Sequence, residues 1–222
     1  VRKYKNKLPK IEGIVLPEPT SFDVISAHPG MLWLQIAAAG RTCHSSAPHL
    51  GVNAIKSMNR LISRLEHCPV FKGPDACTLS INTINAGKAL NVVPDRCTVG
   101  IDIRIPPTVS DEAVLKDIDA ALALLKASDP DFSAQTEILR QIPPLEPDRD
   151  STFIQNLCDI AGTEKAESLS YTTDGPFLRP LRAPIAIFGP GDPGMCHKPD
   201  EKIQISDLEK AVICYQSIMT GV

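Results

Sequence analysis

The feature that most constrains this chain is how its apolar period switches between residues 32 and 141. Leu32, Leu34, Ile36 and Ala38 alternate with their neighbours, the two-residue repeat of a strand with one buried face. Ala54, Met58, Leu61 and Leu65 then fall on one face of a helix over Val52–Leu65, with Asn53 early in its first turn. Cys77, Leu79 and Ile81 alternate again, and so, over a longer stretch, do Cys97, Val99, Ile101, Ile103 and Ile105. Ser110 and Asp111 open a second helix, whose face carries Val114, Ile118, Leu122 and Leu125, and a weaker strand follows near Ala134–Leu139. The order β-α-β-β-α-β is that of the split βαβ unit of ferredoxin-like folds. Such a unit covers one face of its sheet with two helices and leaves the other face and the free edges for other uses.

The flanks follow a different rule. Gly13-Ile14-Val15-Leu16 is a short apolar run cut off by Pro17, as suits a strand buried on both faces. It delivers Glu18-Pro19-Thr20-Ser21 into the loop at its C-terminal end, where open α/β sheets place their ligands. Beyond the proline-rich stretch 143–147, a helix is expected near Ser151–Ala161, a short segment at Ala166–Ser170, and a compact strand at Pro184–Phe188. A Gly/Pro-rich loop, Gly189 to Gly194, and a last helix capped by Ser206 complete the pattern. Strands alternating with helices indicate an α/β layer. The expected fold class is therefore α/β: a partial open α/β domain, residues 1–30 and 144–222, into which an α+β ferredoxin-like domain, residues 31–143, is inserted. The flanks are too short to build a complete sheet and core by themselves.

Composition narrows the classes of function. A net charge of −3 with 22% charged residues disfavours nucleic acid or an anionic membrane as partner. The strongest basic cluster, Arg2-Lys3-Tyr4-Lys5-Asn6-Lys7, reads as a solvated face, and no stretch is apolar for long enough to span a bilayer. The seven cysteines contain no Cys-x-x-Cys pair, which argues against a thiolate zinc site and for free thiols in a reducing cytoplasm.

Four stretches carry side chains suited to chemistry: Pro17-Glu18-Pro19-Thr20-Ser21, Gly40 to Ile55 (GRTCHSSAPHLGVNAI), Tyr171 to Arg179 (YTTDGPFLR) and Gly189 to Glu201 (GPGDPGMCHKPDE). From the residues alone, Glu18 is either a loop carboxylate in a stiff turn or a hard oxygen ligand for a divalent metal. His197 is a solvated loop histidine or an imidazole fixed by the glycine-rich turn before it. His44 reads as a loop or capping histidine, Asn91 as a turn residue, and Arg104 as the polar residue of an otherwise apolar strand. His49 and His67 read as surface residues, and His28 has no assigned role.

In this order and at these separations the four stretches resemble the acetylornithine deacetylase and succinyl-diaminopimelate desuccinylase family, with its aminoacylase and dizinc carboxypeptidase relatives. The resemblance runs over nearly the whole chain from Gly13. It implies a dinuclear-zinc amidohydrolase that removes an N-acyl group from an amino acid, cytoplasmic and homodimeric through the inserted domain. Cobalt or manganese would suit the same nitrogen and oxygen ligands. By resemblance, Glu18 binds one metal and His197 the other. His44 reaches a partner subunit's active site to stabilise the tetrahedral intermediate, while Asn91 and Arg104 approach the substrate carbonyl or carboxylate. Pro176 stands where the desuccinylases have an arginine, which favours acetyl over succinyl substrates.

The same resemblance exposes a gap. Family members supply a His-x-Asp, a bridging aspartate and a Glu-Glu pair before the motif at Glu18, and the seventeen residues Val1–Pro17 contain none of them. Two ligands cannot clamp two ions and activate water. The expectation is an N-terminally incomplete, inactive piece of such an enzyme; the alternative is a stand-alone dimerisation or binding protein that has lost catalysis.

Overall fold

The structure, a computed structural model, describes residues 3, 7–148 and 150–221. Of the basic cluster, Arg2, Tyr4, Lys5 and Asn6 therefore lie outside the described residues. The elements run β1 (Ile14–Leu16), β2 (Ile25–Ala27), β3 (Gly30–Ala39), α1 (Ala54–Leu65), β4 (Thr78–Ala86), β5 (Arg96–Ile105), α2 (Asp111–Ser128), β6 (Ser133–Ile142), α3 (Thr152–Ala161), β7 (Glu167–Ser168), β8 (Ile185–Ile187) and α4 (Ile205–Thr220). They form two compact units, Gly30–Pro143 and the combination of Val1–Pro29 with Pro144–Val222. The fold is mixed α/β with two separate sheets.

The unit Gly30–Pro143 is an antiparallel sheet in the order β4-β5-β3-β6. Alternation decides which face is buried. Leu32, Leu34, Ile36 and Ala38 of β3 and Cys97, Val99, Ile101, Ile103 and Ile105 of β5 pack against Met58, Leu61 and Leu65 of α1 and Val114, Ile118 and Ala121 of α2. Both helices have built starts. Asn53 Oδ1 accepts from Ile55 N–H at 3.0 Å and Lys56 N–H at 3.2 Å, and Ser110 accepts from Ala113 N–H. The strand expected near Ala134–Leu139 is a full ten-residue strand, β6, paired with β3 along its length apart from one irregularity at Trp33/Leu34. Its weak pattern reflects an edge position: only Ile142 is buried.

The other unit has a four-stranded sheet in the order β1-β8-β2-β7. β1 runs parallel to β8 in the register Ile14↔Ile185, Val15↔Ala186, Leu16↔Ile187. β8 and β2 are antiparallel, and β2 and β7 parallel. One apolar cluster joins Phe22, Val24, Ala186 and Phe188 to Ile154 and Leu157 of α3 and to Ala211 and Cys214 of α4. A second gathers Ile25, Leu145, Ile185 and Ile187.

Two expectations need correcting. β1 is only partly buried: Val15 packs against one apolar cluster and Ile14 and Leu16 against the other, but the strand forms the sheet edge and no other described strand pairs with its outer side. Ser206 does not cap the last helix: α4 starts at Ile205, Gln204 is its N-cap residue, and no side chain bonds there. Asp207 in the first turn places a negative charge at the positive end of the helix dipole instead. All seven cysteines are free. No helix among the described residues is long and apolar enough to cross a membrane.

Candidate functional site

Parallel pairing creates the site in the sheet unit. β1 and β8 are neighbours running the same way, so the loops after Leu16 and Ile187 leave the sheet at the same end. In parallel α/β sheets that carboxyl end is where ligands are held. Glu18 follows β1, and His197 follows β8 through the loop from Gly189. The two loops are sewn together. Thr20 and Phe22 N–H donate to Gly189 O at 3.3 and 3.0 Å, Gly189 N–H donates to Thr20 Oγ1 at 3.2 Å, and Ser21 N–H donates to Gly191 O at 2.8 Å. Residues 171 to 175 supply the third side: Tyr171 Oη donates to Pro19 O at 3.2 Å.

Charge couples these loops. Burial pushes the Glu18 carboxyl above its ordinary value, Asp174 adds to the rise, and the charge of His197 opposes it. Burial also raises the Tyr171 hydroxyl and the Cys196 thiol, and both feel the charge of Glu18. His197 is held in the left-handed backbone region at φ 63°, and its N–H donates to Glu201 Oε2 at 3.0 Å. The acidic residue beyond the histidine thus anchors its backbone. Tyr171 and Cys196 were not singled out from the sequence. No spacing rule joins them to Glu18, which the chain reaches only through tertiary structure.

A carboxylate and an imidazole are the donor types that zinc accepts. Among the described residues, however, no three His, Cys, Asp or Glu side chains are grouped so as to hold a metal ion. Glu18 and His197 are of donor types that suit zinc.

The unit Gly30–Pro143 brings His44 and Asn91 together but leaves Arg104 apart. His44 pairs with Val92 in an isolated antiparallel bridge, and Ser45 N–H donates to Asn91 O at 3.0 Å. Ser46 N–H, which can only donate, points at His44 Nδ1 at 3.2 Å, and Ser46 Oγ lies 2.7 Å from the same atom. Nδ1 is therefore the acceptor, and neutral His44 carries its proton on Nε2. The imidazole is exposed, and with Nδ1 accepting, Nε2 is left to donate. Asn91 is also exposed. Arg104 sits eight residues along β5 from Arg96, about 27 Å at a strand's rise per residue. Its guanidinium makes a paired contact with Asp102 at 2.7 and 2.8 Å, and Trp33 Nε1 donates to the same carboxylate at 3.0 Å. His49 and His67 are exposed, as their setting suggested, whereas His28 is deeply buried.

Comparison with known proteins agrees with this architecture. Residues 26–130 match the peptidase dimerisation domain. Acetylornithine deacetylase of Aliivibrio fischeri (strain ATCC 700601 / ES114) is 30% identical over 215 residues, covering 92% of this chain and 56% of its own. That of Pectobacterium atrosepticum is 33% identical over 209 residues, with 88% and 53% covered. The chain thus spans about half the length of the curated relatives it matches. Among solved structures, aminopeptidase PepT from Bacillus cereus superposes with a TM-score of 0.77 at 16% identity, covering 96% of this chain and 58% of its own. A tripeptidase from Staphylococcus aureus gives 0.74 at 20% identity, with 90% and 54% covered. The fold is that of this group of peptidases. The chain is similar to acetylornithine deacetylases at about 30% identity over most of its length, and its residues 26–130 match the peptidase dimerisation domain.

Proposed function

We propose that this chain belongs to a metal-dependent amidohydrolase that cleaves the N-acyl group from an amino acid, with an acetylated substrate of the ornithine type. The observation that carries the reading is that the loops bearing Glu18 and His197 leave the same end of two adjacent parallel strands and are bonded to each other. On this reading Glu18 and His197 are ligands in a centre of two zinc ions, and bound zinc supplies Lewis-acid polarisation of the scissile carbonyl. Half-burial of Glu18 strengthens its attraction for a cation over that of a solvated carboxylate. His44, with its proton on Nε2, donates to the oxygen that gains charge as the carbonyl becomes tetrahedral, and Asn91 lies beside it. Pro176 following Gly175 leaves no cation at that point for a succinyl carboxylate, which is why acetyl is preferred. A homodimer through the Gly30–Pro143 unit fits both the domain match and the exposed His44.

Glu18 and His197 do not suffice for two ions, and on this reading the 222 residues alone turn over no substrate. The experiment is hydrolysis of N-acetyl-L-ornithine and N-succinyl-diaminopimelate by the zinc-loaded product of the whole reading frame. Turnover of the acetyl substrate is expected, with Glu18→Gln lowering kcat/KM by more than about 100-fold. Failure to hydrolyse any N-acyl amino acid would sink the reading in favour of an inert binding or dimerisation protein.

A further inference from the structure

His28 is the histidine that the sequence left without a role. It directly follows β2 and is 1% exposed. Its backbone pairs both ways with Leu145, at 3.2 and 3.0 Å. Both ring nitrogens are engaged. Nδ1 lies 2.9 Å from Pro29 O, a pure acceptor, so Nδ1 carries the proton. Nε2 must then accept, and it faces two donors of Thr173: the backbone N–H at 3.4 Å and the hydroxyl at 3.0 Å. The Thr173 hydroxyl already accepts from Gly175 N–H at 3.2 Å, which leaves its own proton for Nε2. Thr172 Oγ1 adds a bond to Pro29 O at 2.9 Å. The turn so fastened carries Tyr171, bonded to Pro19 O, and Asp174, whose charge acts on Glu18.

We propose that His28 is a positioning residue for the Glu18 site: its neutral imidazole is the acceptor that holds the Thr172–Gly175 turn, and with it Tyr171 and Asp174, in place beside Glu18. The link to Glu18 rests on the function proposed above; the latch itself does not.

A proton added to Nε2 would set N–H against the Thr173 N–H and leave two donors facing each other in a buried site. The surroundings oppose that proton. Burial is the largest influence and holds His28 below the ordinary histidine value. The carbonyl of Pro29 and the backbone of His28 itself pull the other way, and the charge of Arg179 adds to the lowering. Arg179 is itself paired with Glu146 at 3.2 Å, and Tyr171 and Asp174 are the ionisable residues of the turn's own segment. Because the folded state prefers neutral His28, its contribution is complete above the unfolded value of about 6.5. It declines as pH falls below that value.

The test is amide hydrogen exchange at Thr173 and Gly175 in the 222-residue chain, corrected for intrinsic rates, together with titration by Zn2+ alone. In the wild type, protection at both amides should fall about tenfold or more between about pH 8 and about pH 5. His28→Gln keeps an acceptor that does not titrate, so protection should persist at both pH values. His28→Leu should lose it at both and weaken zinc binding about tenfold, with the α1 amides unchanged as a check on folding. Unchanged protection in His28→Leu, or pH-dependent protection that survives in His28→Gln, would overturn the latch. A freed turn with wild-type zinc affinity would overturn the positioning role. Should His28→Leu not fold, the wild type and His28→Gln decide the matter between them. If Glu18→Gln itself leaves zinc binding unchanged, the failure belongs to the site reading and the latch stands or falls on exchange alone.

Discussion

Gly40→Ala is expected to lower the stability of the Gly30–Pro143 unit by roughly 3 kcal/mol, the upper end of the usual overpacking penalty. A Cβ on residue 40 would overlap the carbonyl oxygen of Val52 and stand 3.1 Å from both Ala54 N and Pro94 O. All three are backbone atoms fixed by further bonds. Val52 O accepts from Arg41 N–H at 2.9 Å, Ala54 N–H donates to Pro94 O at 2.9 Å, and Gly40 N–H donates to Asp95 O at 2.7 Å. No side chain can rotate to make room. Relief has to come from parting the segments on either side of His44 and Asn91, so the His44–Val92 bridge should loosen as well. Urea unfolding read against α1 and α2 helicity measures the first effect, and amide exchange at Val93, whose N–H donates to Cys43 O at 2.9 Å, measures the second.

Gly189→Ala should be nearly as costly, about 2–3 kcal/mol, and it strikes the other unit. Here the added Cβ would sit 2.7 Å from Glu18 O, 3.1 Å from the Tyr215 hydroxyl and 3.4 Å from Glu18 N. Tyr215 can yield only by giving up its 2.9 Å bond to Phe188 O, and Gly189 is itself pinned by the bonds of Thr20 and Phe22. The backbone of Glu18 is therefore what moves. The expected outcome is a lower urea midpoint together with weaker zinc binding. Gly191→Ala, where the Cβ would be 3.4 Å from the Pro19 side chain at φ +93°, should cost stability with less effect on zinc.

These two glycines show what a linear reading reaches. Both lie in stretches that stood out for their chemistry, yet nothing local says that residue 40 touches residue 52 or that residue 189 touches residue 18. The strands and helices of the inserted unit were legible because each has one wet face: the alternation in β3 and β5 and the helical stripe of α1 and α2 are consequences of burial on one side. β2, three residues of Ile-Ser-Ala buried throughout, offers no period to read. Glu18 and His197 could be nominated by residue type and neighbours, but the meeting of their loops is a product of the parallel β1–β8 pairing across most of the chain. Arg104 is the converse case. Asp102 lies two residues earlier, on the same face of β5, so the two-residue repeat already placed a carboxylate beside that guanidinium. His28 was opaque because its partners, Leu145 and Thr173, are more than a hundred residues away.

The central claim is that Glu18 and His197 are both ligands of one zinc centre. Calorimetric titration of Zn2+ into the 222-residue chain tests it most directly. The account predicts zinc binding that weakens at least about tenfold in Glu18→Gln and again in His197→Ala. His67→Ala, at an exposed histidine whose Nδ1 bonds Ser63 O, should leave it unchanged. Zinc affinity equal in the wild type, Glu18→Gln and His197→Ala would contradict it.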